Sequence, residues 1–365
     1  MSLDEFRAKI DSHDREIIQL LNERAKVVQQ VGEYKREHNQ KVFDPARERH
    51  IFERLKSLNL GPVTDTCLAA VYREIISGSY ELERKFRVSF LGPEGTFSHL
   101  AAHANFGSSV EYITESDIRS VFMSVAKGNT DYGVVPVQNA LDGGITDSLD
   151  CFVEVDITII SELNLPISQC LLSNHPREEI TTVYSKPQAL AQCRRFLREN
   201  LPNAELVDEA STAKAAQRAA SEKGAAAVAN EMAARIYGLQ VVERSIEDGP
   251  INVTRFAVLG NEQTRPSGKD LTAILCVAHN EPGALCNMLQ PLKERKLNIL
   301  WLDYRPSKEH QWEYVFFLDI EGHKDDPKVN EALQVLTERA SYLRALGSFP
   351  VADSLGILAE NKQDL

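Results

Sequence analysis

The sequence predicts a three-part chain: an all-helical segment, an α/β segment, and a ferredoxin-like βαββαβ segment. Three observations carry this expectation. Apolar residues recur with a spacing near 3.6 from Leu3 to about His38. From Phe86 to about Asn261, short apolar runs alternate with helical ones. Residues 271–350 then run strand, helix, strand, strand, helix, strand. The corresponding domain bounds are 1–85, 86–262 and 270–350.

The first helix keeps Phe6, Ile10, Ile17, Leu20, Leu21, Val27, Val28 and Val31 in register, and no proline interrupts it. It is roughly 50 Å long at 1.5 Å per residue. Such a helix cannot bury its apolar stripe alone and calls for partners or a second copy of itself. Asp44-Pro45 is an N-cap followed by proline at the first helical position, opening a second helix to about Leu58. Leu60-Gly61-Pro62 breaks the chain, and Thr64 or Asp65 caps a third helix running to about Arg84.

In the middle segment the strand-like runs are Val88–Leu91, Gly133–Val137, Ile157–Ile160, Cys170–Leu172, Thr182–Tyr184, Ala225–Ala229 and Phe256–Leu259. Helical runs lie at Ser98–Phe106, Ser116–Lys127, Pro187–Asn200, Ser211–Lys223 and Glu231–Tyr237. Residues 261–270, polar with proline and glycine, read as a linker. The last segment gives strands at Leu271–His279, Asn298–Arg305, Trp312–Glu321 and Tyr342–Ser348, with helices at Gly283–Lys296 and Pro327–Arg339. Residues 351–365 read as a loose tail.

A net charge of −12 argues against nucleic-acid or anionic-membrane partners. Residues 1–85 are balanced in charge and the whole deficit lies beyond them, so an anionic ligand needs local basic clusters. The six cysteines are scattered, with neither zinc spacing nor a disulfide framework. The N-terminus lacks the apolar core of a signal peptide, and no apolar run reaches transmembrane length. A cytoplasmic protein is expected.

Several residues carry chemistry. Val88–Leu91 runs into a Gly-Pro-Glu-Gly turn, with Thr96 and Ser98 where a helix begins, a place that favours an anion. His99 and His103 are four apart, but no third ligand is evident, so they read as surface histidines rather than a metal pair. Arg24 and Lys35 are eleven residues apart, about 20° past three full turns, so they share a helix face. Arg7 lies roughly 100° away around the same axis and reaches such a site more easily from a second, antiparallel copy. Arg47 and Glu48 follow the second helix's cap, and Ser79 and Glu83 share a face of the third.

The segments GPEGTFS (Thr96, Ser98), VPVQNALDGG (Asn139), YSKPQ (Gln188) and Thr254-Arg255-Phe256 together resemble the prephenate dehydratase family. That resemblance implies two α/β lobes with a site in the cleft between them. Thr254 would donate to the leaving hydroxyl, directly or through a water, and Arg255 would anchor a carboxylate or hold the loop. Relatives often carry Glu where this chain has Gln138.

Residues 3–84 resemble the all-helical chorismate mutase family, with matches at Arg7, Arg24, Lys35, Asp44, Arg47, Glu48, Ser79 and Glu83. This implies a six-helix dimer in which each site borrows one arginine. Arg7 and Arg24 would hold carboxylates with help from Arg47 and Ser79, Lys35 would donate to the ether oxygen, and Glu48 would orient the hydroxyl. Some relatives have Gln at Glu83; a glutamate donates there only when protonated. The rearrangement is pericyclic and needs neither metal nor cofactor.

The turn His279–Leu285 resembles that of the ACT domain, implying phenylalanine at Gly283, Ala284, Leu285 and Arg305. Many relatives have Glu-Ser-Arg-Pro in place of Asp303-Tyr304-Arg305-Pro306. The order of modules implies a homodimeric or larger bifunctional enzyme of phenylalanine biosynthesis, acting on chorismate and then prephenate. Two other readings stay open: a prephenate decarboxylase, and an amino-acid-sensing regulatory protein with decayed sites.

Overall fold

A computed structural model describes residues 2–38, 40–249, 252–306 and 314–352. Three helices come first: α1 (Leu3–Glu37), α2 (Pro45–Leu58) and α3 (Asp65–Glu83). Each begins where the sequence offers a cap. Ser2 and Glu5 form a capping box, Asp44 accepts from the Arg47 N–H, and Thr64 accepts from the Cys67 N–H. Gly32 lets α1 close on α3, because a Cβ there would sit 2.9 Å from the Glu83 Cα. Away from that contact the apolar stripe of α1 faces outward: Ile10 is 58% exposed and Leu20 64%.

The middle module contains β1 (Arg87–Leu91), α4 (Phe97–Phe106), β2 (Glu111–Glu115), α5 (Ile118–Ala126), β3 (Tyr132–Asn139), β4 (Gly143–Gly144), α6 (Thr146–Glu154) and β5 (Thr158–Ile167). The chain then enters a second lobe: β6 (Cys170–Ser173), β7 (Thr182–Ser185), α7 (Pro187–Gln192), α8 (Arg194–Asn200), β8 (Glu205–Asp208), α9 (Thr212–Ala219), β9 (Ala225–Ala229), α10 (Glu231–Tyr237) and β10 (Gln240–Glu243). It returns through β11 (Asn252–Gly260). One sheet runs β2-β1-β3-β11-β5 and the other β10-β6-β9-β7-β8.

β2, β8 and β10, absent from the expected strands, lie at sheet edges, short and half exposed, so no long apolar run marks them. The helix expected over residues 187–200 breaks at the buried Cys193, whose φ of −109° is not helical.

The last module is β12 (Asp270–Ala278), α11 (Ala284–Glu294), β13 (Ile299–Pro306), β14 (Tyr314–Glu321), α12 (Pro327–Arg339) and β15 (Ala340–Pro350), with sheet order β13-β14-β12-β15. The expected strand start at Trp312 and most of the expected tail lie outside the described residues. Alternation along the strands divides this sheet's side chains between two cores. Ile274 and Leu318 pack with Met288, Leu292 and Leu336 of its own helices. Leu275 and Phe317 instead join Phe122, Phe152, Ile159 and Leu259 of the middle module.

The helical module is tied in as well. Phe43, Ile76 and Tyr80 share a core with Phe86, Phe106 and Tyr132. The buried Arg49 donates to the carbonyls of Lys269 (2.7 Å) and Val351 (3.2 Å). Residues 261–270 are therefore docked rather than free. Three modules with distinct sequence patterns share continuous cores.

Candidate functional site

In the helical module, Arg24 Nη1 donates to Ser79 Oγ at 2.7 Å. Lys35 Nζ donates to Glu83 Oε2 at 2.7 Å and to the Val42 carbonyl at 2.9 Å. The shared helix face of Arg24 and Lys35 thus meets the shared face of Ser79 and Glu83. Glu48 lies in the same cluster, with Lys35 and Asp44 acting on its charge, and burial pushes its carboxyl up to about 7 against the pull of Arg73. One oxygen, Oε2, accepts from Arg73 at 3.0 Å. The other, Oε1, is buried without a partner among the described residues. Asp44 serves as the α2 cap. Arg47 is exposed, and Arg7 lies on the solvent side of α1, 3.4 Å from Asp4. Neither arginine joins the cluster within one chain.

The second site lies where the two lobes of the middle module meet. Thr254 and Asn139 are cross-strand partners at the ends of β11 and β3. Asn139 Nδ2 donates to Thr254 Oγ1 at 2.9 Å, while its Oδ1 accepts from the Leu141 and Asp142 N–H groups at 3.0 and 3.2 Å. Those two backbone donors fix the amide's orientation. Thr254 Oγ1 therefore accepts from Asn139 and keeps its own proton to give.

Gln188 at the start of α7 donates across the cleft to Asp142. On the other side Asn230 Nδ2 donates to the Gly95 carbonyl at 2.9 Å, and the Tyr237 hydroxyl to the Glu94 carbonyl at 2.8 Å. The second lobe thus holds the Gly-Pro-Glu-Gly turn in place, a role its sequence did not signal. Ser98 is buried in the first turn of α4.

Three expectations change. Thr96 caps α4: its hydroxyl donates to the Leu91 carbonyl at 2.9 Å and accepts from the His99 N–H at 3.3 Å, so it holds the turn. His99 is buried, not at the surface. Its ring stacks on Phe90 with centroids 4.4 Å apart, Nδ1 accepts from the Gly95 N–H, and burial lowers it to about 4. In Thr254-Arg255-Phe256, the alternation of β11 turns Arg255 away from the face that Thr254 and Phe256 share. Phe256 enters the core beside Phe90 and Val258.

Arg255 points to the opposite face, toward the last module. Its Nε and Nη2 lie 2.6 and 2.5 Å from Glu162 Oε2, and its Nη1 pairs with Asp319 of β14. It is therefore not placed to anchor a substrate carboxylate, and it locks the two sheets together. Removing one member of a buried ion pair leaves a charge uncompensated and costs about 3–5 kcal/mol. Arg255→Ala is expected to lose stability of that order in denaturant unfolding. Burial raises Asp319 to about 6, above its ordinary 3.8. A carboxyl raised by folding favours the folded chain at low pH and loses that contribution as pH rises through about 6. The Arg255→Ala loss should therefore be larger at pH 8 than at pH 5, and equal losses at both would contradict this assignment.

In the last module Gly283 takes a left-handed φ of 83° before α11, with Ala284 and Leu285 beside it in a largely exposed turn. Arg305 is turned to α6, its Nε 3.5 Å from Asp150 Oδ1. The neighbouring Asp303 lies over the β3–β4 hairpin, where a Cβ on Gly144 would collide with its carboxylate. The Asp303–Arg305 segment thus contacts the hairpin that holds Asn139. Among the described residues no cluster of metal-ligating side chains occurs and no helix is long and apolar enough to cross a membrane.

Three family profiles match in sequence: chorismate mutase type II over residues 6–84, prephenate dehydratase over 88–264, and the ACT domain over 272–338. A bifunctional chorismate mutase/prephenate dehydratase from Aquifex aeolicus is 43% identical over 96% of this chain and 98% of its own length. Among solved structures, prephenate dehydratase from Arthrobacter aurescens in complex with L-Phe is 30% identical, with a TM-score of 0.68 over 73% of this chain and 91% of that one. The Staphylococcus aureus prephenate dehydratase is 27% identical, with a TM-score of 0.63 over 72% and 99%. With such similarity along nearly its whole length, the chain belongs to the bifunctional chorismate mutase/prephenate dehydratase family.

Proposed function

We propose that this chain rearranges chorismate to prephenate in its helical module and converts prephenate to phenylpyruvate in the cleft of its middle module. The observation that carries this is the cationic cluster of Arg24, Ser79, Lys35 and Glu83, drawn together from positions 55 and 48 residues apart. Chorismate is a flexible dicarboxylate, and its rearrangement breaks an ether bond while a carbon–carbon bond forms. Arg24 clamps one carboxylate with Ser79 beside it. Lys35, and Glu83 when protonated, donate to the ether oxygen as negative charge grows there. The unpartnered Glu48 Oε1 accepts from the substrate hydroxyl.

Arg7 acts in the site of a second copy, with Arg47 at its margin. The exposed apolar stripe of α1 supports this, since a second α1 laid against it buries that stripe. Light scattering should return at least a dimer, and a monomer at assay concentration would remove this part.

Dehydration with decarboxylation makes the ring aromatic, which supplies the driving force. Thr254 donates to the departing hydroxyl, directly or through a water, and Asn139 orients it. Ser98 and Gln188 line the cleft, with Thr96 holding the turn. Carbon dioxide and water leave together, so no oxidant or cofactor is consumed. The retained Thr254 and its partner Asn139 favour this outcome over decarboxylation with the hydroxyl kept.

Gly283–Leu285 is the effector turn, its exposed backbone suited to an amino acid's charged ends, and phenylalanine is the effector. Arg305 acts from the domain interface. Calorimetry with phenylalanine should detect binding; none at millimolar concentration would remove the effector. For the enzyme itself, purified protein supplied with chorismate should form prephenate and then phenylpyruvate. No turnover of either compound would leave the amino-acid sensor as the better account.

A further inference from the structure

We infer that Arg73 is a positioning residue of the mutase site, holding Glu48 in place from an anchor that the dehydratase module supplies. This rests on the assignment of Glu48 to that site. Arg73 lies six residues before Ser79 on α3, about 120° around the helix from it. It therefore does not face the cluster as Ser79 and Glu83 do, and reaches it only by its length. Its Nη1 donates to Glu48 Oε2 at 3.0 Å and also to the Asn105 carbonyl at 2.9 Å, and its guanidinium lies over the Phe52 ring at 4.6 Å. A ring face, a carboxylate and a main-chain carbonyl together fix the guanidinium in one orientation.

Asn105 belongs to the last turn of α4, and the docking around it is extensive. Glu74 accepts from the Ser108 N–H at 3.2 Å and from its hydroxyl, and Ser77 Oγ accepts from the Ser109 N–H at 2.9 Å. Gly107 approaches Ser77 so closely that a Cβ would lie 2.5 Å from the Ser77 Cβ. One end of α4 thus anchors Arg73, and the other carries Thr96 and Ser98. The mutase site is finished by a group from the module that performs the next reaction.

With Oε2 held by Arg73, only Oε1 is left for substrate, so Glu48 presents one acceptor in one direction. The charges facing Glu48 are Arg73 on α3, Lys35 on α1 with its partner Glu83, and Asp44 at the α2 cap. Arg73 and Lys35 favour the ionised carboxylate, whereas burial and Asp44 oppose it. Without the Arg73 charge, Glu48 binds its proton more tightly and is lost as an ionised acceptor at a higher pH.

The test is mutase turnover against pH in the full chain, comparing the parent with Arg73→Gln, Arg73→Lys and Glu48→Gln, each checked for folding by circular dichroism. In Arg73→Gln the acid limb of kcat should move up by about 1 pH unit or more. In Arg73→Lys it should stay close to the parent's position, with turnover reduced several-fold because lysine is shorter and lacks the planar group that stacks on Phe52. An unmoved limb in Arg73→Gln, where Glu48→Gln abolishes that limb, overturns the inference while leaving the site standing. If Glu48→Gln changes neither rate nor profile, the site assignment fails and the inference with it. Should Arg73→Gln not fold, Arg73→Lys decides: undiminished turnover overturns the inference, and reduced turnover with the limb in place supports it.

Discussion

Replacing Thr254 with valine should lower conversion of prephenate to phenylpyruvate by about 10²- to 10⁴-fold, the range over which a positioned proton donor accelerates a reaction. Valine preserves the shape of the side chain and removes only its hydroxyl, so packing beneath the site should hold. Asn139 makes the case specific. Its Oδ1 is committed to two backbone N–H groups, and its Nδ2 to Thr254. The threonine proton therefore has no competing acceptor in that pair and is free for the leaving hydroxyl. Loss should fall on kcat more than on KM, because the hydroxyl acts as the bond breaks. Steady-state kinetics with prephenate checks this, and an unchanged kcat would move the proton donor elsewhere.

Arg24→Ala should lower chorismate rearrangement by about 10²- to 10³-fold, comparable to removing one preorganised donor from a charge-stabilising site. Two effects add. The variant loses a charge-assisted bond to a carboxylate, about 1.5–3 kcal/mol. It also strips Ser79 Oγ of the donor that now holds it. Conversion of prephenate should be untouched, since Arg24 lies on α1 and, among the described residues, hydrogen-bonds only to Ser79 of α3. A fall in both activities would point to unfolding rather than to a lost contact.

Much of this was legible in the sequence, where local rules govern. The caps at Asp44 and Thr64 set the starts of α2 and α3, and helical spacing brought Arg24 with Lys35, and Ser79 with Glu83, onto facing surfaces. The strand-turn-helix at Val88–Ser98 also stood out, because glycine, proline and a capping hydroxyl are local signals. What stayed hidden depends on contacts between distant segments. Edge strands such as β2 bury too little to show an apolar pattern. Thr254-Arg255-Phe256 reads as one motif, but the pleat turns Arg255 to a domain interface, and along the other face Thr254 meets Asn139 while Phe256 enters a core. His99 looks like a surface histidine until Phe90 covers it. Arg73 shares no helix face with the cluster it supports, and its anchor is a main-chain carbonyl that no side-chain pattern announces.

Arg255 shows how the modules depend on one another. It follows Thr254 on β11 and is gripped by Asp319 of the last module, while Asp303 sits against the hairpin that carries Asn139. That sheet thus touches the chain next to both residues of the Asn139–Thr254 pair.

The central claim is that two chemistries are held by separate residues of one chain. Its most direct measurement supplies chorismate and prephenate in turn to the Arg24→Ala and Thr254→Val proteins, following each product. Arg24→Ala should process prephenate normally while failing on chorismate, and Thr254→Val should accumulate prephenate from chorismate at the parent's rate. If either substitution silences both reactions in a folded protein, or neither substitution affects its own, the division of labour described for this chain is contradicted.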